Sequence, residues 1–392
     1  MKIKEKGINS SRMPVYRDAG FELYDASTAA EAFSDESRHE RDPGFYIYSR
    51  YRNPTVVAAE NAIMELEEAS WALLTQSGMA AVDVAVSVFQ NGSSGRPWLF
   101  FNEIYGGTIS FIDNVLKKRR GVDVRNFFPD DEKYDLSMFE NLVAEVRPEF
   151  VYLEVVSNPM LIVTDAGRVI ETAGKYGSKV IIDNTFATPQ LWKPLEHGAD
   201  LVIHSVTKYL SGHGNITGGV ICGNDPELLK AALEYRKYTG HMMSPDDAYR
   251  LSTQIKTFGL RFRCQCENAS RLALLLEMNE LTDRVWYPGL ASHITHNEAL
   301  ALFGDRGFGG MITFSFKGSD RQEKQRRRDD FIARVSDRIK LIPSLGDPST
   351  ILLPVEPVWG EKYPEPGMIR LSVGFEDYGE LERTVLKGLD IS

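Results

Sequence analysis

Residues 179–219 read KVIIDNTFATPQLWKPLEHGADLVIHSVTKYLSGHGNITGG, and this stretch decides the fold class. It contains two short apolar runs, at 179–183 and 200–204, of the kind that forms buried strands. Further strand candidates lie at 98–101, 150–154 and 219–222, with helical patterns between several of them. Short buried strands that alternate with helices predict a mainly parallel α/β sheet.

Polar residues stand where two of these strands end. Asp183 closes the first run, and Ser205-Val-Thr207-Lys208 follows the second. Ligands bind outside the carboxyl ends of strands in an open α/β sheet, so both segments are expected to face one crevice. The amine of Lys208 can form an imine with an aldehyde cofactor. The carboxylate of Asp183 can keep a pyridine nitrogen protonated, and the hydroxyls of Ser205 and Thr207 suit a phosphate. The combination, followed by a glycine-rich stretch at 211–219, predicts a cofactor site.

Composition argues against several classes of function. The chain has 392 residues, a net charge of −10 and a pI near 5.4, so neither nucleic acid nor an anionic membrane is an expected partner. The three cysteines, Cys222, Cys264 and Cys266, are too few for a disulfide framework and fit a reducing cytoplasm. They lack zinc spacing, so no metal is expected. With no signal-peptide pattern and no membrane-length apolar stretch, the sequence favours a cytoplasmic location.

The pattern of polar and apolar residues changes twice along the chain. Residues 1–50 are polar and irregular and are interpreted as an extended arm. Residues 51–244 hold the α/β pattern, with helices predicted from Pro54, over 80–89 and over 166–176. For residues 245–392 the sequence predicts an α+β domain. Its elements are one long helix from residue 245 to about 279, strands at 310–316 and 368–373, and a helix at 378–389. The basic run at 324–328 is bracketed by acids and is interpreted as a solvated helix face.

Several short motifs resemble those of the cysteine/methionine-metabolism family of pyridoxal-5′-phosphate (PLP) enzymes. They are DNTFATP at 183–189, GAD at 198–200 and HSVTKYLSGH at 204–213, and the similarity extends from about Tyr46 to Leu389. It implies the fold-type-I, aspartate-aminotransferase-like architecture, with a large mostly parallel sheet domain and a smaller α+β domain. It also implies that Lys208 carries PLP. The sequence of residues 208–217 is most similar to that of the methionine and cystathionine γ-lyases.

The resemblance implies further cofactor contacts. The segment YSRYRNPT at 48–55 resembles one whose tyrosine and arginine, here Tyr48 and Arg50, reach across a dimer interface to the neighbour's PLP and substrate. Ser77-Gly78-Met79 opens an apolar helix, whose first backbone amides favour a phosphate. Tyr105 matches the tyrosine that stacks on the pyridine ring and assists proton transfer to the leaving group.

Substrate contacts are implied at three places. Asn158 matches a residue that contacts the cofactor's 3′-oxygen and the substrate carboxylate, with Glu154 supporting the site from below. Arg370, in RLSVG at 370–374, matches the arginine that clamps the α-carboxylate, and Ser344 belongs to the loop that helps to hold it. The implied catalytic residues are Lys208, Tyr105 and Asp183.

Four departures from the family pattern concern the distal side of the substrate. Pro343 stands where γ-synthases and γ-lyases usually carry a glutamate, and Gly107 stands where methionine γ-lyases carry a cysteine. The segments at 353–360 and 237–244 also differ. The candidates for the distal lining are Trp359, His241, Met242 and Glu356.

The resemblance implies γ-elimination on a γ-substituted L-amino acid, such as methionine, cystathionine, a homocysteine-like compound or an oxygen-linked analogue such as canavanine. The products would be ammonia and a 2-oxo acid, or a homoserine-type product. The alternative is γ-replacement of the cystathionine γ-synthase or O-acylhomoserine sulfhydrylase type. A non-catalytic scaffold is disfavoured because the predicted catalytic residues and Arg370 are all present. A homo-oligomer is expected, as a dimer of dimers.

Overall fold

A computed structural model describes residues 13–90 and 95–389. The helices are α1 Ala26–Glu36, α2 Pro54–Glu67, α3 Gly78–Ser87, α4 Gly106–Phe111, α5 Leu136–Val146, α6 Ala166–Lys175, α7 Thr188–Leu191, α8 Pro226–Thr239, α9 Pro245–Gln254, α10 Phe258–Glu277, α11 His296–Phe303, α12 Arg321–Val335, α13 Val355–Trp359 and α14 Tyr378–Leu389. The strands are β1 Trp71–Thr75, β2 Trp98–Phe101, β3 Val124–Phe127, β4 Phe150–Glu154, β5 Lys179–Asp183, β6 Leu201–Ser205, β7 Gly219–Gly223, β8 Thr282–Trp286, β9 Met311–Phe316, β10 Lys340–Leu341, β11 Ile351–Pro354 and β12 Met368–Ser372.

The first sheet has seven strands in the order β1-β7-β6-β5-β4-β2-β3. The strand β7 pairs antiparallel with both of its neighbours, and the other pairs are parallel. Alternate side chains of the strands pack on opposite faces, so Leu153 and Ile182 belong to one core cluster and Tyr152 and Ile181 to another. This sheet confirms the predicted mainly parallel α/β architecture.

Three predicted strands match β2, β4 and β5, and the two others match β6 and β7 within one residue. The sequence reading missed β1 and β3. The strand β1 comes four residues after α2, so its apolar residues continue the pattern of that helix. The strand β3, with the sequence VRNF, buries only Phe127 and lies at the sheet edge. Because most of its residues are polar or partly exposed, β3 lacks the apolar run by which the other strands were predicted.

The expectation of an irregular arm over 1–50 was wrong in part, because α1 occupies Ala26–Glu36. Asp25 caps this helix, and its carboxylate accepts a hydrogen bond from the Thr28 amide at 2.8 Å. The remainder of residues 13–53 consists of turns and extended backbone. Residues 1–12 of the predicted arm lie outside the described residues.

The second sheet has five strands in the order β10-β11-β12-β9-β8. Its strands β9 and β12 and the helix α14 lie where the sequence predicted them. The single long helix predicted from Pro245 is two helices, α9 and α10, joined by a 3₁₀ turn at Ile255–Thr257. None of the helices within residues 13–90 and 95–389 is long and apolar enough to cross a membrane.

The basic run at 324–328 is a solvated helix face only in part. It lies in α12, and Arg328 is 6% exposed. The Arg328 guanidinium donates hydrogen bonds to Glu356 at 3.1 Å and to Asp329 at 2.9 Å. Arg328 is buried because it lies on the face of α12 that carries Phe331 into the core, where Glu356 of α13 supplies a charged partner.

Strand register brings the polar strand ends together. Glu154 at the end of β4 is paired with Asp183 at the end of β5, and β6 runs parallel to β5 beside it. Parallel strands end at the same edge of a sheet, so the segment that starts at Ser205 leaves this edge next to Asp183. The predicted crevice therefore lies at the carboxyl ends of β4, β5 and β6.

A buried ion pair joins α2 to α8 at the edge strand β1 of this sheet. The Arg236 guanidinium donates a hydrogen bond to Glu60 at 2.7 Å, and both side chains are almost fully buried. The Leu74 amide of β1 donates to the same carboxylate oxygen at 3.0 Å. We predict that Glu60→Ala lowers the free energy of unfolding by about 3–5 kcal/mol, because it leaves a buried guanidinium without its anion.

Urea denaturation measures this loss. The control is Glu171→Ala on α6, whose side chain is 71% exposed; it should change the free energy of unfolding by less than about 0.5 kcal/mol. Equal effects of the two substitutions would contradict the prediction.

Candidate active site

A cavity of about 410 Å³ lies at the carboxyl edge of the first sheet. It receives side chains from the ends of β4, β5 and β6 and from the second sheet. All the predicted site residues except Tyr48 and Arg50 line it, namely Ser77, Gly78, Met79, Tyr105, Asn158, Asp183, Ser205, Thr207, Lys208, Ser344 and Arg370.

Lys208 follows β6, and its amine donates a hydrogen bond to the Ser344 hydroxyl at 3.0 Å. The loop that carries Ser344 packs directly on the Lys208 backbone. Gly346 has a φ of +80°, and a β-carbon there would lie 2.9 Å from the carbonyl carbon of Lys208, so only glycine fits. Burial lowers the pKa of the Lys208 amine to about 8, and the positive charge of Arg370 adds to the effect. A substantial share of this amine is therefore neutral near physiological pH.

Asp183 and the buried Glu154 are neighbouring carboxyl groups at paired positions of β5 and β4. Asp183 accepts hydrogen bonds from the Thr185 amide at 3.0 Å and from the Tyr152 hydroxyl at 3.3 Å. Glu154 accepts one from the Tyr105 amide at 2.6 Å. Burial raises the pKa of Glu154 well above its ordinary value, and the neighbouring Asp183 raises it further. Burial also raises the pKa of Asp183, so a nearby cation would stabilise its ionised form.

The first turn of α3 forms one wall of the cavity. Ser77 caps the helix, and its hydroxyl accepts a hydrogen bond from the Ala80 amide at 3.1 Å. The amides of Gly78 and Met79 have no partner within a helix that starts at Gly78. A β-carbon at position 78 would lie 2.9 Å from the Ser205 hydroxyl oxygen, so this glycine lets the helix start approach β6 closely. The arrangement suits an anion.

Thr207 lines the cavity, but its hydroxyl has partners in its own loop. It accepts a hydrogen bond from the Gly218 amide at 3.0 Å and donates one to the Gly218 carbonyl at 3.2 Å. Ser205 is held by its backbone, because its amide donates to the Thr185 hydroxyl at 2.8 Å. The Thr207 hydroxyl therefore closes the loop in this structure, and a phosphate would compete with Gly218 for its proton.

Arg370, on β12, reaches the cavity from the second sheet. Its guanidinium donates hydrogen bonds to the Asn158 side-chain oxygen at 2.9 Å and to the Ser344 carbonyl at 3.1 Å. The residue is 5% exposed, and burial lowers the pKa of its guanidinium to about 10, so it remains a cation at neutral pH. Its buried Nε has no hydrogen-bond partner among the described protein atoms. A carboxylate would supply the missing acceptor.

Tyr48 and Arg50 lie outside the cavity of their own chain. The Arg50 guanidinium donates a hydrogen bond to the Lys237 carbonyl at 2.6 Å and lies 5.0 Å from the centre of the Tyr51 ring. Tyr48 is 42% exposed. Neither residue lines the cavity that the Lys208 side chain enters.

The four distal candidates occupy different places. Trp359 lines the cavity, as predicted. The other three were wrong: His241 bonds Asp83 and Gln76, Met242 packs against the core, and Glu356 binds the arginines of α12. Their position in divergent segments resembled a site signal, but each has partners elsewhere.

Sequence reasoning missed two supports of the site. The Tyr152 hydroxyl reaches Asp183 from the middle of β4, where a tyrosine looks like an ordinary core aromatic. Thr185 bonds both Asp183 and Ser205 and so joins the ends of β5 and β6. Its signal was present in the DNT motif at 183–185.

Comparisons with known proteins agree with this geometry. The family profile of the Cys/Met metabolism PLP-dependent enzymes matches residues 2–390. The chain belongs to this family. It is 32% identical to a cystathionine gamma-lyase of Bacillus subtilis (strain 168) over 88% of this chain and 89% of that protein. It is 33% identical to an L-methionine gamma-lyase of Pseudomonas putida over 97% and 92% of the two chains.

A solved structure supports the same assignment. The crystal structure of a cystathionine gamma synthase from Xanthomonas oryzae pv. oryzae in complex with cystathionine has a TM-score of 0.85 and 27% identity to this chain. It covers 98% of this chain, and the match covers 94% of that one. The predicted family and the fold-type-I architecture are thus confirmed, and PLP is the cofactor.

The residues present fit this cofactor. The carboxyl pair of Asp183 and Glu154 suits a protonated pyridine nitrogen, because a cation there offsets the burial that raises the pKa of Asp183. The amides at the start of α3 suit the phosphate, and the amine of Lys208 suits the aldehyde. The assignment of each residue to one part of PLP is a proposal that rests on this complementarity.

The lowered pKa of Lys208 predicts how the PLP-free protein captures PLP. Imine formation needs a neutral amine, so the capture rate should rise with pH and reach its half-maximum near the pKa of about 8. Stopped-flow recording of the visible absorbance measures the rate. The control, Lys208→Ala, should not develop the absorbance band of the lysine imine. A midpoint close to that of an ordinary lysine would contradict the prediction.

Proposed function

We propose that the protein is a PLP-dependent γ-lyase, which eliminates the γ-substituent of an L-amino acid and releases ammonia and a 2-oxo acid. The substrates of this class include methionine, cystathionine, homocysteine-like compounds and oxygen-linked analogues such as canavanine, for which a homoserine-type product is the counterpart. The proposal agrees with the family membership, which establishes a PLP-dependent enzyme of this group.

The connection from Lys208 through Ser344 to Arg370 carries the proposal. The Lys208 amine bonds the Ser344 hydroxyl, and the Ser344 carbonyl bonds the Arg370 guanidinium. An α-carboxylate on Arg370 would therefore bring the adjacent Cα of the substrate close to the Lys208 amine. A base at this position can remove the Cα proton.

Each step of the proposed reaction is assigned to a residue of this chain. When bound, PLP withdraws electron density from Cα, which makes the loss of its proton feasible. Lys208 would take this proton and then assist the loss of a proton from Cβ, which precedes departure of the γ-substituent. In the PLP-free protein burial lowers the pKa of this amine to about 8, so it can act as a base near neutral pH. Asp183 holds negative charge beneath the cofactor site. Tyr105 is half exposed at the cavity and donates a proton to the leaving group.

Elimination is favoured over replacement by two features. Residues 208–217 read as in the methionine γ-lyases, and Pro343 lines the cavity where a recognition glutamate is usual. The alternative is γ-replacement of the cystathionine γ-synthase or O-acylhomoserine sulfhydrylase type, in which an external nucleophile adds to the substrate. The relatives include both lyases and a synthase, so the choice depends on an assay.

A screen of γ-substituted L-amino acids decides between the two reactions. We predict release of ammonia and 2-oxobutanoate, or a related 2-oxo acid, without an added nucleophile. Each substrate is tested with and without a thiol, and Lys208→Ala is the inactive control. Turnover that requires the thiol would contradict the lyase proposal and support the γ-replacement reaction instead.

We further propose that each site is completed by Tyr48 and Arg50 of a neighbouring subunit, in a dimer or a dimer of dimers. The support is that both residues lie outside their own cavity although the family pattern assigns them to a PLP site. The exposed Tyr48 ring and the Arg50 guanidinium lie 5.5 Å apart and so form one surface patch. A cytoplasmic location remains a prediction.

Subunit mixing tests this shared site. Arg50→Ala alone should weaken PLP retention, because one phosphate contact is lost. When Arg50→Ala and Lys208→Ala chains are refolded together, a mixed dimer has one site with both residues intact. We predict recovery of about a quarter of the wild-type sites in an equal mixture. The absence of recovery would show that Arg50 does not act across subunits.

A further inference from the structure

The segment that departs from the family pattern at 353–360 forms the end of β11 and the short helix α13. Three of its residues line the cavity, namely Leu353 at the end of β11 and Val358 and Trp359 of α13. The departure therefore changes a wall of the active site and not a remote loop.

This wall is anchored on both sides of Trp359. Before it, Glu356 accepts hydrogen bonds from Gln325 at 2.9 Å and from Arg328 at 3.1 Å, which hold α13 against α12. After it, the Tyr363 hydroxyl donates a hydrogen bond to the buried Glu103, and the Lys362 amine lies 3.5 Å from the same carboxylate. Glu103 lies two residues before Tyr105. The anchors therefore fix Trp359 relative to the loop that carries Tyr105.

The Trp359 ring lies between the carboxylate clamp and the Tyr105 loop. The Arg370 guanidinium carbon is 5.3 Å from the centre of this ring, within the range of a cation–π contact. On the other side, a β-carbon at Gly106 would lie 3.9 Å from the indole nitrogen. The indole therefore covers the position that a side chain must occupy once its α-carboxylate is bound by Arg370.

The lining on this side carries no charge among the described residues. It consists of Pro343, Leu353, Val358, Trp359 and the Tyr105 ring. The charged residues of the cavity are Lys208, Asp183, Glu154 and Arg370, and each is already assigned to proton transfer, the cofactor or the α-carboxylate. A carboxylate or ammonium at the end of a substrate would lose water here without gaining an opposite charge from this chain, and the neighbour's Arg50 is proposed to contact the phosphate and not this wall.

We propose that Trp359 is a specificity-determining residue, which selects substrates with a short apolar γ-substituent, such as a thioether methyl group, and rejects those with a charged end. The inference rests on the proposed function, because it concerns the γ-substituent of the same substrate. It assigns the selection to a residue of the divergent segment.

Binding of unreactive amino acids tests the proposal without turnover. L-norleucine ends in a methyl group where L-2-aminoadipate ends in a carboxylate, and neither has a γ-leaving group. Titration of the PLP-loaded protein, followed by the change in its visible spectrum, gives both dissociation constants. We expect the wild type to bind L-norleucine at least about tenfold more tightly than L-2-aminoadipate.

Two substitutions assign this preference to Trp359. Trp359→Ala should weaken L-norleucine binding about tenfold and bring the two dissociation constants close together, because the apolar wall becomes solvated. The matched control, Trp359→Phe, retains an aromatic wall and should keep most of the preference. A wild type without preference, or a Trp359→Ala variant with the wild-type ratio, would overturn the proposal.

The outcome is separable from that of the proposed function. A wild type that prefers L-norleucine, a preference lost in Trp359→Ala, but that releases no ammonia from any γ-substituted amino acid would refute the lyase and support the assignment of Trp359. A wild type that releases ammonia from L-methionine and L-cystathionine equally well, with equal affinities for both probes, would support the lyase and refute the assignment.

Discussion

The active site depends on one chain of hydrogen bonds that crosses between the two sheets. It runs from Lys208 to Ser344, from Ser344 to Arg370 and from Arg370 to Asn158. Lys208 and Asn158 follow strands of the first sheet, and Arg370 belongs to the second. The distance between the proton-transfer amine and the carboxylate clamp is therefore fixed by how the sheets pack. A shift of the second sheet would move the substrate's Cα away from Lys208, with a large loss of rate.

Burial gives the cavity its electrostatic character. It lowers the pKa of Lys208 and Arg370 and raises that of Asp183 and Glu154, so all four groups are less favourable as ions than they are in water. In the proposed function, a bound cofactor and substrate would supply the complementary charges, namely a pyridinium for the carboxyl pair and an α-carboxylate for the guanidinium. Binding is thus coupled to the ionisation that catalysis requires. The same desolvation makes the proton of Lys208 easy to release near neutral pH.

Much of this site could be predicted from the sequence because its residues stand at the ends of regular strands. Asp183 and Lys208 were found from two apolar runs and the residues that follow them, and the parallel sheet brings such ends together. Tyr152 could not be found in this way, because only the twist and packing of β4 show that its hydroxyl reaches Asp183. Glu356 was misjudged for a related reason: its partners on α12 are close in space but not in sequence. The helix α1 was missed because its alanines and single phenylalanine do not form a clear apolar stripe, and only Ala32 is buried.

Two of the four departures from the family pattern line the cavity, and their location shows how the family chemistry and the selectivity proposed for Trp359 can coexist. Pro343 and the 353–360 segment lie on the distal side, and Gly107 follows Tyr105 of the same side by two residues. The 237–244 segment is the exception, because His241 and Met242 have partners elsewhere. A β-carbon at position 107 would fall on the Tyr105 ring, so the glycine permits the observed ring position beside the wall that Trp359 forms. In contrast, Asp183, Ser205 and Lys208 match the family motif at the proximal side. Proton transfer needs only the proximal groups and the clamp, so the distal wall can change its chemistry while the distance from Lys208 to Cα stays fixed.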